Sequence, residues 1–204
     1  MRLCEVARNG QHLDNYPPRG DNFRINADVW NFFHKRGWKE IGSGFYSSVY
    51  SHQDKDFVVK INQRYDRAFA HFILLTHKFP NPHFPVISNV KLLKRDDGTK
   101  FYVYFMEKLN RVSDPSYTRY EDKIRWLMMF LKGRDQPKLS IEQLMNTEYA
   151  GCINYLKSVP HLWEAFEVIA KYGKGSPDLG IRNVMQRDDG TIVFVDPLAF
   201  GDIR

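Results

Sequence analysis

Cysteine is nearly absent: 204 residues hold two, Cys4 and Cys152, far apart and in no CxxC pair. That excludes a disulfide framework and a zinc ribbon, and it suits a reducing cytosol. No stretch approaches the ~18 continuous apolar residues that span a bilayer. The N-terminus carries charge without an apolar signal core, so the expectation is a soluble, unexported chain with no membrane partner. Lys and Arg exceed Asp and Glu by 6 but are dispersed along the chain. The excess favours anionic partners such as nucleotide, acidic protein surfaces or RNA. Its dispersal argues against a nucleic-acid tail, so nucleic acid is not expected as the primary ligand. His71, His77 and His83 recur at sixfold spacing, which lacks the i, i+4 stripe of a helical metal site.

What is present is enough apolar material for a real core, 43% hydrophobic and 15% aromatic, in one large domain or two small lobes. Residues 1–25, with Gly10, Pro17, Pro18 and Gly20, read as an irregular lead-in. A short helix is predicted next, capped by Asn26, with Val29, Trp30 and Phe33 on one face and Gly37 at its end. Strands follow near 38–43, 47–52 and 56–61. In DFVVKI, Phe57, Val59 and Ile61 share one face while Val58 and Lys60 share the other. The glycines of IGSGF, Gly42 and Gly44, let backbone approach phosphate oxygens with no Cβ in the way.

An apolar helix is expected from about 64 to 79, with Ala68, Phe69, Phe72, Ile73, Leu74 and Leu75, closed by Pro80, Pro82 and Pro85. A second hairpin, NVKLLK and TKFYVYF around Asp96-Asp97-Gly98, would complete a five-stranded sheet. The pattern then turns helical, at roughly 119–132, 140–157 and 160–172. The string RDDGT occurs at 95–99 and 187–191, which is reused turn chemistry rather than a repeat.

The chemistry concentrates in SPDLGIRNVMQRDDGTIVFVDPLAF. Both sides of Asp189-Gly190 are rich in β-formers, predicting a hairpin with a two-residue turn, and counting outward pairs Asn183 with Asp196. Residues directly opposite have Cβ atoms roughly 5 Å apart, so an amide oxygen and a carboxylate could converge on one hard cation, magnesium. Asp178, just upstream on a loop, is available as proton acceptor or hydroxyl-orienting group.

The spacing Asp-x4-Asn-x12-Asp resembles the catalytic loop and metal-binding aspartate of protein kinases. The glycine loop, the strand lysine in DFVVKI and the hinge-like FYVYFMEKL stand in the kinase order. More narrowly, Gly-Trp-Lys-Glu-Ile-Gly-Ser-Gly-Phe with Tyr-Ser-His after it, Asp196-Pro197 in place of Asp-Phe-Gly and a trailing Phe200 resemble the early serine/threonine kinases of T7-like bacteriophages. The resemblance implies an α+β, reduced two-lobed protein kinase-like fold. Its parts would be an extension over 1–37, a five-stranded antiparallel N-lobe with an αC-like helix and hinge over 38–109, and a small helical C-lobe over 110–204.

The resemblance also implies ATP and Mg2+ as cofactors, host proteins as substrates and the host cytoplasm as location. Gly42, Ser43, Gly44, Val49, Lys60, Met106, Glu107 and Leu109 would bind nucleotide, with Lys60 on the α- and β-phosphates. Asn183 and Asp196 would hold metal, Asp178 would orient the attacking hydroxyl, and Arg182 would neutralise charge on the transferring phosphoryl.

The sequence departs from the kinase pattern in several places. Ser47 replaces the third loop glycine, and no glutamate lies between Lys60 and the hinge, leaving Asp66 as the nearest acid. Ser176-Pro177 stands for His-Arg, Gly180 for the catalytic lysine, and little chain follows Asp196 for an activation segment. These departures keep two rivals in view: a kinase-like binding module that inhibits a host protein without phosphotransfer, and a small-molecule phosphotransferase.

Overall fold

The computed structural model describes residues 25–43, 47–62, 66–94, 100–133 and 139–199. They form an α+β molecule with a five-stranded antiparallel sheet and six helices. The chain makes two compact units. One is drawn from residues up to Asp66 and from Val86–Lys108, the other from Arg67–Pro85 and the residues from Leu109 onward. No helix among the described residues is long and apolar enough to cross a membrane.

In the first unit, helix α1 (Ile25–His34) precedes strands β1 (Lys39–Ser43), β2 (Ser47–Ser51) and β3 (Phe57–Asn62). Strands β4 (Ile87–Lys94) and β5 (Lys100–Glu107) complete a sheet of order β1-β2-β3-β5-β4. Strand alternation sends Tyr50, Val59, Ile61, Val103 and Phe105 to one face, where they form a core with Phe32, Phe33 and Trp38. Phe33 stacks on Tyr50 at 4.5 Å and meets Trp38 edge-on at 5.6 Å. Gly37 turns the helix into the sheet with φ +79. Its N–H donates to the His34 carbonyl and that of Trp38 to the Phe33 carbonyl, the double closure that a left-handed residue permits.

Two expectations for α1 are corrected. The helix starts at Ile25, so Asn26 lies in its first turn instead of capping it. Phe32 and Phe33 are buried, whereas Trp30 is 44% exposed and stacked on His34. At 100° per residue, the face centred between Phe32 and Phe33 lies roughly 110° from Trp30.

The second unit begins with α2 (Arg67–Lys78), although the kinase resemblance implies a helix of the sheet-bearing lobe. Its buried side chains are Ala68, Phe69, Ala70, Phe72, Ile73 and Leu75, while Leu74 is exposed. It packs within this unit on α6 (Leu162–Tyr172) and β10 (Leu198–Ala199). Helix α3 (Pro115–Lys132) starts earlier than expected. The Asp114 side chain accepts from the N–H groups of Ser116 and Tyr117, and Pro115 occupies the first turn, where a missing N–H costs nothing.

The helix expected over 140–157 is two helices, α4 (Ile141–Met145) and α5 (Ala150–Ser158). Thr147 makes the break: its hydroxyl donates to the Leu144 carbonyl at 2.6 Å and accepts from the Tyr149 N–H. A side chain thereby replaces helical backbone bonds.

Short strands close the unit. β6 (Asn110–Arg111), β8 (Val184–Gln186) and β9 (Ile192–Phe194) form one sheet, and β7 (Ser176–Pro177) pairs with β10. The segment after the α2 prolines is laced to the hairpin. Phe194 N–H donates to the His83 carbonyl, and the buried His83 ring sits between the carbonyls of Ile192 (2.6 Å) and Pro160 (2.8 Å). The Arg187 guanidinium donates to the carbonyls of Pro82 and Phe84.

Candidate functional site

In the second unit two short ladders place the reactive residues. The β8–β9 register is Val184↔Phe194, Met185↔Val193 and Gln186↔Ile192, so Asn183 extends opposite Val195, not Asp196. The expected two-residue turn is in fact one residue longer. Arg187 N–H donates to the Thr191 carbonyl, Gly190 N–H donates back to the Arg187 carbonyl, and Gly190 takes φ +90 as the bulge residue. One extra loop residue moves the register by one.

A local irregularity restores the neighbourhood. The Asn183 carbonyl accepts from both Val195 N–H (2.9 Å) and Asp196 N–H (3.3 Å). Asp196 therefore arrives beside Asn183 through a forked backbone bond rather than through direct pairing.

The second ladder brings in Asp178. β7 and β10 pair as Pro177↔Leu198 and Ser176↔Ala199, and the bond from Asp178 N–H to the Pro197 carbonyl (2.9 Å) continues the ladder. Asp178 and Asp196 are thereby neighbours across the strand ends. The Asn183 side-chain amide closes the arrangement by donating to the Asp178 carbonyl at 3.0 Å. All three residues are half-buried.

Electrostatics follow from that placement. Burial raises the Asp178 carboxyl above the ordinary aspartate range; hydrogen bonding by Asn183 opposes the rise, the Asp196 charge adds to it, and Arg125 opposes it again. Carboxylate and amide oxygens are the hard donors that magnesium takes, and Asp178, Asn183 and Asp196 are the residues of that chemistry drawn together here. Among the described residues no group of three or more His, Cys, Asp or Glu has metal-site geometry. Arg182 is exposed in the 3-10 turn Ile181–Asn183.

Three α3 residues that no sequence motif marks bear on this loop. Tyr117 hydroxyl donates to the Leu179 carbonyl at 3.4 Å, and burial, with charges nearby, pushes its phenol well up, keeping it a donor. Glu121 Oε1 accepts from Ile181 N–H at 2.6 Å. Arg125 acts through its charge on Asp178. Residues 117, 121 and 125 form an i, i+4, i+8 stripe. The expected helix begins after Tyr117, and nothing in the sequence points this stripe at the loop.

In the first unit, Lys60 lies mid-strand between Val49 of β2 and Tyr104 of β5. It is 5% exposed, so it is no ordinary surface lysine. It shares the face opposite the aromatic core with Val58 and Asn62. Both Asn62 side-chain polar atoms are buried without a hydrogen-bond partner. Gly42 and Ser43 end β1 in exposed positions, with Gly42 paired to the half-buried Val49. Gly44 lies outside the described residues.

At the end of β5, Met106 is buried and Glu107 half-buried. Glu107 is fixed twice, its N–H donating to the Val86 carbonyl and its Oε1 accepting from Val86 N–H. Leu109, half-buried, belongs to the second unit. A scan of protein-family models finds no match to this chain, and a search of curated proteins finds none either.

Proposed function

We propose that this chain is an ATP- and magnesium-dependent phosphotransferase of reduced, two-lobed kinase-like fold, akin to the early serine/threonine kinases of T7-like bacteriophages and acting on host proteins in the host cytoplasm. The observation that carries the reading is the grouping of Asp178, Asn183 and Asp196 by two ladders and one side-chain bond. The mutual field of the two aspartates is what a hard dication relieves. Asn183 and Asp196 would hold that ion, whose chemistry when bound is to neutralise charge on the phosphates.

The remaining work falls to the chain's own groups. Asp178, with its proton affinity raised by burial and by Asp196, accepts the hydroxyl proton and orients the nucleophile. Lys60, buried on the sheet, would take the α- and β-phosphates, with Gly42 and Ser43 beside them. Met106, Glu107 and Leu109 border the base. Arg182, exposed in the same turn as Asn183, faces developing phosphoryl charge.

One observation favours the binding-module reading: α2 carries no acidic residue, so the partner of a catalytic strand lysine must come from elsewhere. Asp66, buried just before α2, is the candidate. Incubation with labelled ATP and magnesium separates the two readings. The phosphotransferase incorporates label into itself or an added protein, and Asp196→Ala abolishes incorporation while circular dichroism is unchanged. Equal labelling by Asp196→Ala and wild type sinks the assignment of roles. A wild type that never labels but still inhibits its host target establishes the binder.

A further inference from the structure

The loop carrying Asp178 turns at Gly180, which stands at the N-cap of the 3-10 turn Ile181–Asn183 and has no side chain to cap it. An uncapped turn leaves its first N–H groups without a partner. Ile181 N–H instead finds Glu121 Oε1 on α3 at 2.6 Å, a short bond to a charged acceptor, of the stronger kind. The same oxygen lies 3.7 Å from where a Cβ on residue 180 would stand. The carboxylate therefore lies against the N-cap residue and takes the first N–H of the turn from another helix.

The turn closes on itself through Asn183 N–H on the Gly180 carbonyl, and the other restraints lie nearer the loop's ends: Asp178 N–H on the Pro197 carbonyl, Asn183 amide on the Asp178 carbonyl and Tyr117 hydroxyl on the Leu179 carbonyl. Glu121 takes the N–H at the start of the turn, midway between Asp178 and Asn183.

We infer that Glu121 is a positioning residue that caps the catalytic turn from another helix and fixes the spacing of Asp178 to Asn183. This rests on the phosphotransferase reading for its consequence in catalysis, though not for its geometry. A cap supplied from α3 is replaceable in place. Gly180 has φ −63, which any residue adopts, and serine is a strong N-cap.

Three variants test it: Glu121→Ala, Glu121→Gln and the double variant Glu121→Ala/Gly180→Ser. Two readouts are taken on each, steady-state phosphotransfer and amide hydrogen exchange at Ile181. Glu121→Ala is expected to lower kcat about tenfold or more with KM for ATP within twofold, since alignment is lost and nucleotide binding is not. Ile181 exchange should speed up at least about tenfold. Glu121→Gln, which keeps an acceptor oxygen, should recover most of kcat and of the Ile181 protection; the double variant, whose serine reaches the second or third N–H of the turn and not that of Ile181, should recover most of kcat alone.

A merely structural Glu121 would lower stability without the kcat and KM split and without rescue by Gly180→Ser; that pattern overturns the inference. So does unchanged exchange at Ile181 in Glu121→Ala. If wild type transfers no phosphate, the phosphotransferase reading falls. The cap is then judged on exchange alone, where acceleration in Glu121→Ala and recovery in Glu121→Gln sustain it and their absence refutes it.

Discussion

The sheet unit and the helical unit hold their functional residues by different means. Lys60 sits in the middle of a five-stranded ladder, paired on both sides and backed across the sheet by an aromatic cluster. Its position is over-determined, because shifting it means shifting a strand register. Asp178, Asn183 and Asp196 stand at the ends of two- and three-residue strands, and single hydrogen bonds decide their spacing. The sheet therefore resists change through packing, whereas the loop depends on individual bonds.

That contrast is broken most forcefully in the sheet. Phe33→Ala removes the ring that stacks on Tyr50 and abuts Trp38. It should cost about 3–5 kcal/mol in denaturant unfolding. A loss below about 1 kcal/mol would show that the aromatic cluster does not hold the ladder.

A smaller effect is expected at the hairpin. Gly190→Ala places a Cβ in open space, its nearest neighbour being the Gln186 amide at 3.8 Å. Only the left-handed φ of +90 is then strained, at about 1–2 kcal/mol. Because the bulge sets the register that delivers Asp196, phosphotransfer should fall more than stability does. Equal and small losses in both would place the turn outside the site's control.

The smallest effect concerns charge. The folded-state pKa of Asp178 is raised, chiefly by burial. The native fold therefore favours the protonated acid, and the penalty for ionising it is absent below the unfolded pKa and grows as pH rises through the folded one. Asp178→Asn removes that penalty, so thermal unfolding at pH 7 should rise by about 1–3 °C while activity is lost. The gain should shrink towards zero as pH falls below the ordinary aspartate range. Destabilisation at pH 7 would mean that the carboxylate is a structural ligand.

The sequence disclosed what depends on alternation and composition. The two faces of DFVVKI, the five strands and the presence of a hairpin before Asp196 follow from period-two patterning. It did not disclose what depends on one residue in a turn or on contacts distant in the chain. The Arg187–Thr191 turn holds one residue more than a simple Asp-Gly hairpin, because the first Asp of RDDGT joins the loop, and the pairing of Asn183 shifted accordingly. The β7–β10 ladder is too short to signal itself, although it brings Asp178 to Asp196. Glu121 falls in the expected helix and Tyr117 just before it, and neither points to the loop until α3 is laid on it. Helix α2 shows the same limit, since its apolar stripe announced burial but not which unit would bury it.

Calorimetric titration of ATP into the protein, with and without magnesium, tests the account most directly when run on wild type, Lys60→Ala and Asp196→Ala. Wild type should bind ATP far more tightly with magnesium, Lys60→Ala should weaken binding under both conditions, and Asp196→Ala should remove the magnesium dependence. ATP binding by wild type that ignores magnesium, or binding that neither substitution alters, would contradict it.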